Sequence, residues 1–202
     1  MFDAKLRPLI DRSLEPIGRW LAGCGVSANH VTIAGAGFGL LAFILIAVDL
    51  AFIGLWMIIL NRLADGVDGA VARASAQTDF GGYLDLVVDF IFYSAIPLAF
   101  AIANPNHALA ACFLCVSFMG TASSFLGVAI LAAKHNISTE TRGKKTFFYL
   151  GGLTEGSETI LIFCAMALWP NYFAYLAWGF GFLCWVTTGT RIYLAHSMFA
   201  AR

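Results

Sequence analysis

Four aspartates stand at helical spacing within one stretch of the chain, residues 65–89, and this is where the sequence has the means to do chemistry. Asp65 and Asp68 are three residues apart, and Asp85 and Asp89 are four apart, so each pair lies on one face of a helix. Four neighbouring carboxylates in an apolar setting repel one another unless they are protonated or bind cations. A set of oxygen ligands without His or Cys favours Mg²⁺, Mn²⁺ or Ca²⁺ over zinc or copper, and two such ions would neutralise four aspartates.

Small residues continue the face on which the first aspartate pair lies. Gly69 and Ala72 follow Asp65 by four and seven residues, so the helix carries no bulk beside its carboxylates. This gap predicts that something packs against the face. Because Mg²⁺ commonly keeps coordination positions open for substrate phosphates, the pattern indicates phosphoryl chemistry.

The composition of the chain predicts that these aspartates lie in or beside a membrane. Of the 202 residues, 60% are hydrophobic and only 12% are charged, which leaves too little polar surface to cover a soluble globule. The formal net charge is zero, so no field favours nucleic acid as a partner. Ionisable residues within membrane segments are costly, and their presence therefore suggests function.

The apolar pattern predicts an all-α, polytopic membrane protein. Residues 1–29 are expected to form a juxtamembrane, interfacial amphipathic helix, which Pro8 and Pro16 would break or kink. Residues 30–202 are expected to form one domain of six transmembrane helices. The predicted spans are 30–48, 50–74, 80–103, 107–134, 146–168 and 172–199.

The distribution of basic residues predicts the orientation of these spans. With the N-terminus inside, all twelve Lys and Arg residues fall at or toward the cytoplasmic side, and the opposite turns contain none. Short loops follow this positive-inside tendency. We therefore expect an integral membrane protein, in the inner or plasma membrane if bacterial, with both termini and the aspartates facing the cytoplasm.

The stretch 65–89 resembles the signature of the CDP-alcohol phosphotransferase family, D-x-x-D-G-x-x-A-R-x8-G-x3-D-x3-D, and contains every fixed residue type. The signature has eight residues between its arginine and the next glycine, but only seven residues separate Arg73 from Gly81. Gly82 stands at the family spacing. Counting from Gly81 keeps both aspartate spacings intact. Residues 27–32, S-A-N-H-V-T, also resemble the T-P-N-x-[LI]-T that is often found before the first span of this family.

The resemblance implies transfer of a substituted phosphoryl group from a CDP-alcohol, usually CDP-diacylglycerol, to an acceptor alcohol, with release of CMP. It also implies two divalent ions, Mg²⁺ or Mn²⁺, and a homodimer. By the family pattern, the metal ligands are Asp65, Asp68 and Asp85. Asp89 is the general base and can also touch a metal, and the nucleotide is contacted by Gly69, Ala72 and Arg73.

A second group of charged residues is a candidate for binding the acceptor. Arg142, Lys144 and Lys145 precede the fifth predicted span, and Arg191 lies within the sixth. Together they would hold a phosphate on the acceptor, which favours glycerol phosphate or inositol phosphate among the acceptors of the family. The rival interpretation is that the loop residues only obey the charge asymmetry of membrane proteins. Arg62, one turn before Asp65, is interpreted as a structural counter-charge.

Two other functions share this physics. An intramembrane prenyltransferase also holds Mg²⁺ and a diphosphate on aspartate-rich helices, but it usually has more spans and an N-D-x-x-D-x-x-x-D motif that this chain lacks. A divalent-cation transporter would use the same carboxylates, without needing Gly69, Ala72 and Arg73 at these positions. Metal-dependent binding of CDP or CMP separates the transferase from the transporter.

Overall fold

The computed structural model describes residues 3–135 and 152–200, and within these ranges the chain is helical with short turns and contains no strand. The predicted all-α class is therefore confirmed. Two 3₁₀ turns, Pro105–His107 and Pro170–Tyr172, lead directly into the helices that begin at Ala108 and Phe173. The helices are α1 Asp3–Gly23, α2 Ala28–Ala47, α3 Ala51–Ala74, α4 Asp79–Ala103, α5 Ala108–Lys134, α6 Gly156–Leu168 and α7 Phe173–Phe199.

Helices α2, α3 and α4 pack closely and carry the aspartates. Gly35 of α2 allows the approach of α3, since a Cβ there would lie 3.1 Å from the Ala64 side chain. Gly39 plays the same part toward α4, because its Cβ would lie 3.0 Å from the Phe92 ring. Thr78 caps α4 by accepting a hydrogen bond from the Gly81 amide, which satisfies one of the donors left open at a helix start.

Helix α1 packs on α3, directly behind the aspartate stretch. A Cβ at Gly18 would lie 2.6 Å from the Ala70 backbone, and one at Gly66 would lie 2.6 Å from the Leu14 side chain. The helix is continuous from Asp3 to Gly23, so the break expected from its prolines does not occur. A proline removes one backbone donor, and contacts with α3 at Leu14 and Gly18 support the helix on both sides of Pro16.

The remaining helices complete an apolar core rich in aromatic rings. Phe100 of α4 stacks on Phe173 of α7 with centroids 4.7 Å apart, and Phe113 of α5 stacks on Trp178 at 4.2 Å. A Cβ at Gly181 would lie 2.5 Å from the Phe113 ring, so α5 and α7 approach closely at a small residue. Such small-residue contacts are the usual means of packing helices in lipid.

The predicted fifth span begins too early. Residues 136–151 lie outside the described part of the chain, and residues 152–155 are not helical. The Thr154 amide bonds to the hydroxyl of Thr187 on α7, at 3.1 Å, instead of to a helical carbonyl. Glu155 and Glu158 then form a capping box at the start of α6. With 13 residues, α6 is about 20 Å long, which is shorter than a hydrocarbon core of roughly 30 Å.

Within the described ranges, three helical segments are long and apolar enough to cross a membrane: Ala28–Ala47, Asp79–Ala103 and Pro105–Lys134. A fourth exists if α6 and α7, which are bent by 118°, count as one span. Helix α3 is not among them, because it carries Arg62, Asp65, Asp68 and Arg73. The structure thus supports membrane insertion, and the number of six spans stays a prediction.

Candidate active site

Three carboxylates converge between the C-terminal half of α3 and the start of α4. One oxygen each from Asp65, Asp68 and Asp85 lies within 4.8 Å of the other two. Asp68 is buried, with 6% of its surface exposed, and the other two are half-buried. Helical periodicity aligns the two members of the α3 pair, and the packing of α4 on α2 brings Asp85 to them.

The donor set fits a hard divalent cation. All three groups offer carboxylate oxygens, and no His or Cys belongs to this cluster, which excludes the ligand sets that zinc and copper prefer. Three neighbouring carboxylates, one of them buried, leave an excess of negative charge that a cation would balance. Asp65, Asp68 and Asp85 are therefore the residues that would hold a metal ion.

The buried member of the cluster is held in place from α2. The Thr32 hydroxyl donates to Asp68 Oδ2 at 2.7 Å, and both side chains are buried. A hydrogen bond to a charged acceptor is short and strong, so it fixes the orientation of this carboxylate. Thr32 is the last residue of the stretch 27–32, and its hydroxyl joins that stretch to the aspartates.

The fourth aspartate is engaged differently. Arg62 Nη2 donates to Asp89 Oδ1 at 2.6 Å, and its Nη1 lies 3.5 Å from Asp65 Oδ2. Arg62 Nε donates to Asn61 Oδ1 at 3.1 Å, and Asn61 Nδ2 donates to the Gly35 carbonyl at 2.9 Å. Asp89 is thus paired with a guanidinium that α2 and α3 hold rigidly. This pairing supports the interpretation of Arg62 as a counter-charge.

The face predicted to receive the nucleotide is open at its end. Arg73 is exposed and Ala72 is half-buried. A Cβ on Gly69 would lie 3.3 Å from Arg73 Nη1, so the guanidinium turns back over the glycine one turn earlier. The small residues and the basic group therefore share one face of α3, beside Asp65.

The glycine at the start of α4 occupies a crowded position. A Cβ at Gly81 would lie 3.0 Å from both Asn29 Oδ1 and Thr78 Oγ1, which is closer than side chains normally approach. Asn29 belongs to the stretch 27–32, so the two motif-like segments meet here. This crowding supports Gly81, rather than Gly82, as the counterpart of the signature glycine.

The structure places one of the four candidate acceptor-binding residues. Arg191 of α7 is buried, and its Nη1 donates to the Thr121 carbonyl of α5 at 2.9 Å. Its guanidinium lies 5.7 Å from the centroid of the Phe125 ring, and a Cβ on Gly152 would lie 3.4 Å from Nη2. Arg142, Lys144 and Lys145 lie outside the described residues.

Sequence reasoning assigned no role to Thr32, Asn61 or Tyr93. Asn61 is a polar residue in an apolar run, and Tyr93 stands one turn after Asp89. Both positions could therefore have been recognised from the sequence as candidates for contact with the aspartates. The ring centroid of Tyr93 is 6.0 Å from the Arg62 guanidinium. Its hydroxyl would lie 3.5 Å from a Cβ on Gly156, the first residue of α6. Tyr93 therefore connects the aspartates to the start of α6.

The chain is similar in sequence to a known protein family and to individual members of it. Residues 26–190 match the family model described as CDP-alcohol phosphatidyltransferase. The chain is 46% identical to the inner membrane protein YnjF of Escherichia coli over 197 residues, covering 97% of this chain and 96% of that protein. It is 31% identical to the archaetidylinositol phosphate synthase of Pyrococcus horikoshii over 102 residues, covering 50% of this chain and 54% of the relative.

A solved structure shares the fold. The crystal structure of Mycobacterium tuberculosis phosphatidylinositol phosphate synthase (PgsA1) with CDP-DAG bound aligns with a TM-score of 0.71 at 23% identity, covering 92% of this chain and 94% of that one. The family match spans most of the chain, including all four aspartates and Arg73. This chain therefore belongs to the CDP-alcohol phosphatidyltransferase family, and it is an integral membrane phosphotransferase of phospholipid biosynthesis.

Proposed function

We propose that this enzyme transfers a phosphatidyl group from CDP-diacylglycerol to the hydroxyl of a phosphorylated polyol, such as inositol phosphate or glycerol phosphate, and releases CMP. The observation that carries this proposal is the convergence of Asp65, Asp68 and Asp85 within 4.8 Å, beside the open face of α3. The name of the archaeal relative, an archaetidylinositol phosphate synthase, supports an inositol phosphate acceptor.

The proposed cofactor is Mg²⁺ or Mn²⁺. Asp65, Asp68 and Asp85 would hold one ion, and Asp89 would contribute to a second, as the charge of four aspartates suggests. When bound, such ions stabilise the charge that develops on a diphosphate as its P–O bond breaks. The part of Thr32 in this scheme is to keep the Asp68 carboxylate oriented.

The proposed nucleotide site is the face of α3 formed by Gly69, Ala72 and Arg73. The first two residues leave room for the cytidine moiety, and Arg73 pairs with the diphosphate. A guanidinium suits this task because it stays charged and presents several donors in a fixed plane. Its proximity to Gly69 places it on the face that also carries Asp65.

Asp89 is proposed as the general base. Its carboxylate takes the proton of the acceptor hydroxyl while the acceptor oxygen forms a bond to phosphorus. The bond between phosphorus and the bridging oxygen of the diphosphate breaks, and CMP leaves with the electron pair. Positioned carboxylates of this kind contribute by holding the accepting atom in reach of the proton, and Arg62 orients this one.

The acceptor phosphate is proposed to bind Arg191 together with Arg142, Lys144 and Lys145. Arg191 lies beside Gly152, which follows the segment that contains the three other basic residues. Its location inside the α5–α7 contact gives it the partly desolvated setting in which an ion pair with phosphate is strongest. The start of α6 lies next to Tyr93, which stands one turn after Asp89.

We propose the same placement in the membrane that the sequence predicted. Residues 1–29 form the juxtamembrane segment, residues 30–202 form the six-helix domain, and both termini and the active site face the cytoplasm. The exposed Ile17 and Trp20 on α1 suit a helix that lies in the interface between lipid and water. A homodimer is proposed from the family.

The two other functions open at the sequence level are not supported. The family assignment decides for a phosphotransferase. The crowded Gly81 and the shared face of Gly69 and Arg73 fit this family in detail, whereas cation transport requires neither.

The direct test is CMP release by the purified protein in lipid with CDP-diacylglycerol, Mg²⁺ or Mn²⁺, and single acceptors: inositol phosphate, glycerol phosphate and serine. We expect a phosphorylated polyol to stimulate release. Asp68→Asn should abolish both release and metal-dependent CDP binding, because it removes the charge of the most buried ligand. Asp49→Asn is the matched control, since Asp49 lies in an exposed turn with a φ of 64° that Asn accepts readily.

Stimulation by serine alone would overturn the proposed acceptor class while leaving the donor chemistry intact. Full activity in Asp68→Asn would overturn the metal site itself.

A further inference from the structure

The guanidinium of Arg62 lies among the aspartates in a way that a simple counter-charge does not require. It bridges two of the four carboxylates, with Nη2 2.6 Å from Asp89 and Nη1 3.5 Å from Asp65. Asp65 is also a member of the three-carboxylate cluster. The same cation therefore contacts one candidate metal ligand and the candidate base.

The environment of Arg62 fixes the guanidinium at this place. Nε bonds to Asn61, which is 2% exposed and is anchored to the Gly35 carbonyl. The group also lies 5.6 Å from the Phe92 ring centroid and 6.0 Å from that of Tyr93, in the range of cation–π attraction. The side chain is 18% exposed, so solvent screens its charge only in part.

Electrostatics then limits what else the carboxylates can bind. Arg62 lies 3.5 Å from Asp65 of the three-carboxylate cluster but 2.6 Å from Asp89, so its charge opposes an ion at Asp89 more than an ion at the cluster. A second ion that uses Asp89 must compete with a resident positive charge for the same oxygen. Two cations at contact distance repel strongly where water is partly excluded.

We infer that Arg62 acts as a built-in substitute for a second divalent cation. It occupies the carboxylates of Asp89 and Asp65 until substrate or a second ion displaces it, and it orients Asp89 in the meantime. This inference rests on the proposed function, because it concerns the same metal centre. It makes Arg62 a positioning residue whose charge sets the affinity for the second ion.

The test is a titration of the purified protein with Mn²⁺ alone, followed by the electron paramagnetic resonance signal of the free ion, which gives the number and affinity of bound ions. Wild-type protein should bind one Mn²⁺ tightly and a second weakly. Arg62→Met should tighten the second site by about tenfold or more, because a competing positive charge is removed. Arg62→Lys, which keeps the charge, should stay close to wild type.

Two controls separate the charge effect from damage to the fold. Arg19→Gln removes one positive charge from an exposed position on α1, and it should leave both Mn²⁺ sites unchanged. Adding Asp89→Asn to Arg62→Met should abolish the gain, since the second ion then loses its carboxylate. A merely structural arginine would show the opposite sign, because its loss loosens the helices and weakens metal binding.

Unchanged or weaker binding of the second Mn²⁺ in Arg62→Met would overturn the inference while leaving the proposed function intact. A wild-type protein that binds no Mn²⁺ would overturn both the proposed metal chemistry and this role of Arg62.

Discussion

Charge is held in apolar surroundings by different means in the two halves of this molecule. In the half formed by α2–α4, side chains on other helices donate hydrogen bonds to the carboxylates: Thr32 donates to Asp68, and Arg62 donates to Asp89. In the half formed by α5–α7, Arg191 donates to a backbone carbonyl, that of Thr121. Arg191 also lies 5.7 Å from the Phe125 ring centroid, so a backbone carbonyl and an aromatic ring support this charge, whereas the first half uses hydrogen bonds between polar side chains.

This difference indicates that the two halves have separate functions. The geometry of the carboxylate half depends on which residues stand at particular positions. This suits a reaction step that is the same for every donor and acceptor. Because the acceptor site that we propose lies in the basic half, a change of acceptor need not disturb the proposed metal ligands. Substitutions in the first half should therefore damage the chemistry, and those in the second half should damage acceptor binding.

After Asp68→Asn, which should abolish activity, Asp89→Asn should have the largest effect on turnover in the carboxylate half. The amide keeps the shape of the side chain but cannot take a proton, so kcat should fall by about 10²–10⁴-fold, the usual contribution of a general base. Binding of CDP-diacylglycerol should change much less. Steady-state kinetics together with equilibrium CDP binding measure the two effects, and equal losses in both would show a ligand instead of a base.

Thr32→Val tests whether the hydrogen bond from Thr32 of α2 to Asp68 contributes to metal affinity. Valine keeps the volume of the side chain and removes the hydroxyl, so the metal affinity should fall by roughly 10–100-fold, as for other partners of metal ligands. Thr32→Ser, which retains the donor, should restore most of that affinity. A Mn²⁺ titration checks both variants, and wild-type affinity in Thr32→Val would mean that the Asp68 carboxylate holds its orientation without help.

Arg191→Ala should give the smallest effect on chemistry and sharpen the contrast between the halves. We expect the KM for the acceptor to rise by about tenfold, the loss of one charge-assisted contact to phosphate, with unchanged affinity for CDP. Arg191→Lys, which keeps the charge and most of the volume, should show a smaller rise. If the affinity for CDP falls in parallel with that for the acceptor, Arg191 supports the fold and does not bind the acceptor phosphate.

Much of the aspartate centre was foreseeable because it is a local pattern. The spacing of Asp65 and Asp68 and that of Asp85 and Asp89 follow from the pitch of a helix, and Gly69 and Arg73 share a face for the same reason. The prolines of α1 do not break the helix, whose Leu14 and Gly18 pack on α3. The start of α6 was also misjudged, since Thr154 bonds to Thr187, 33 residues away.

The sequence by itself determined the all-α class, most of the helices and the residues able to bind a divalent ion, because composition and periodicity act over short distances. Only the tertiary structure decided which groups meet between helices: Thr32 with Asp68, Arg62 with Asp89, and Arg191 with the Thr121 carbonyl. These contacts depend on how helices cross and rotate against one another. Side-chain packing along the whole length of each helix sets that geometry, and no short stretch of sequence contains it.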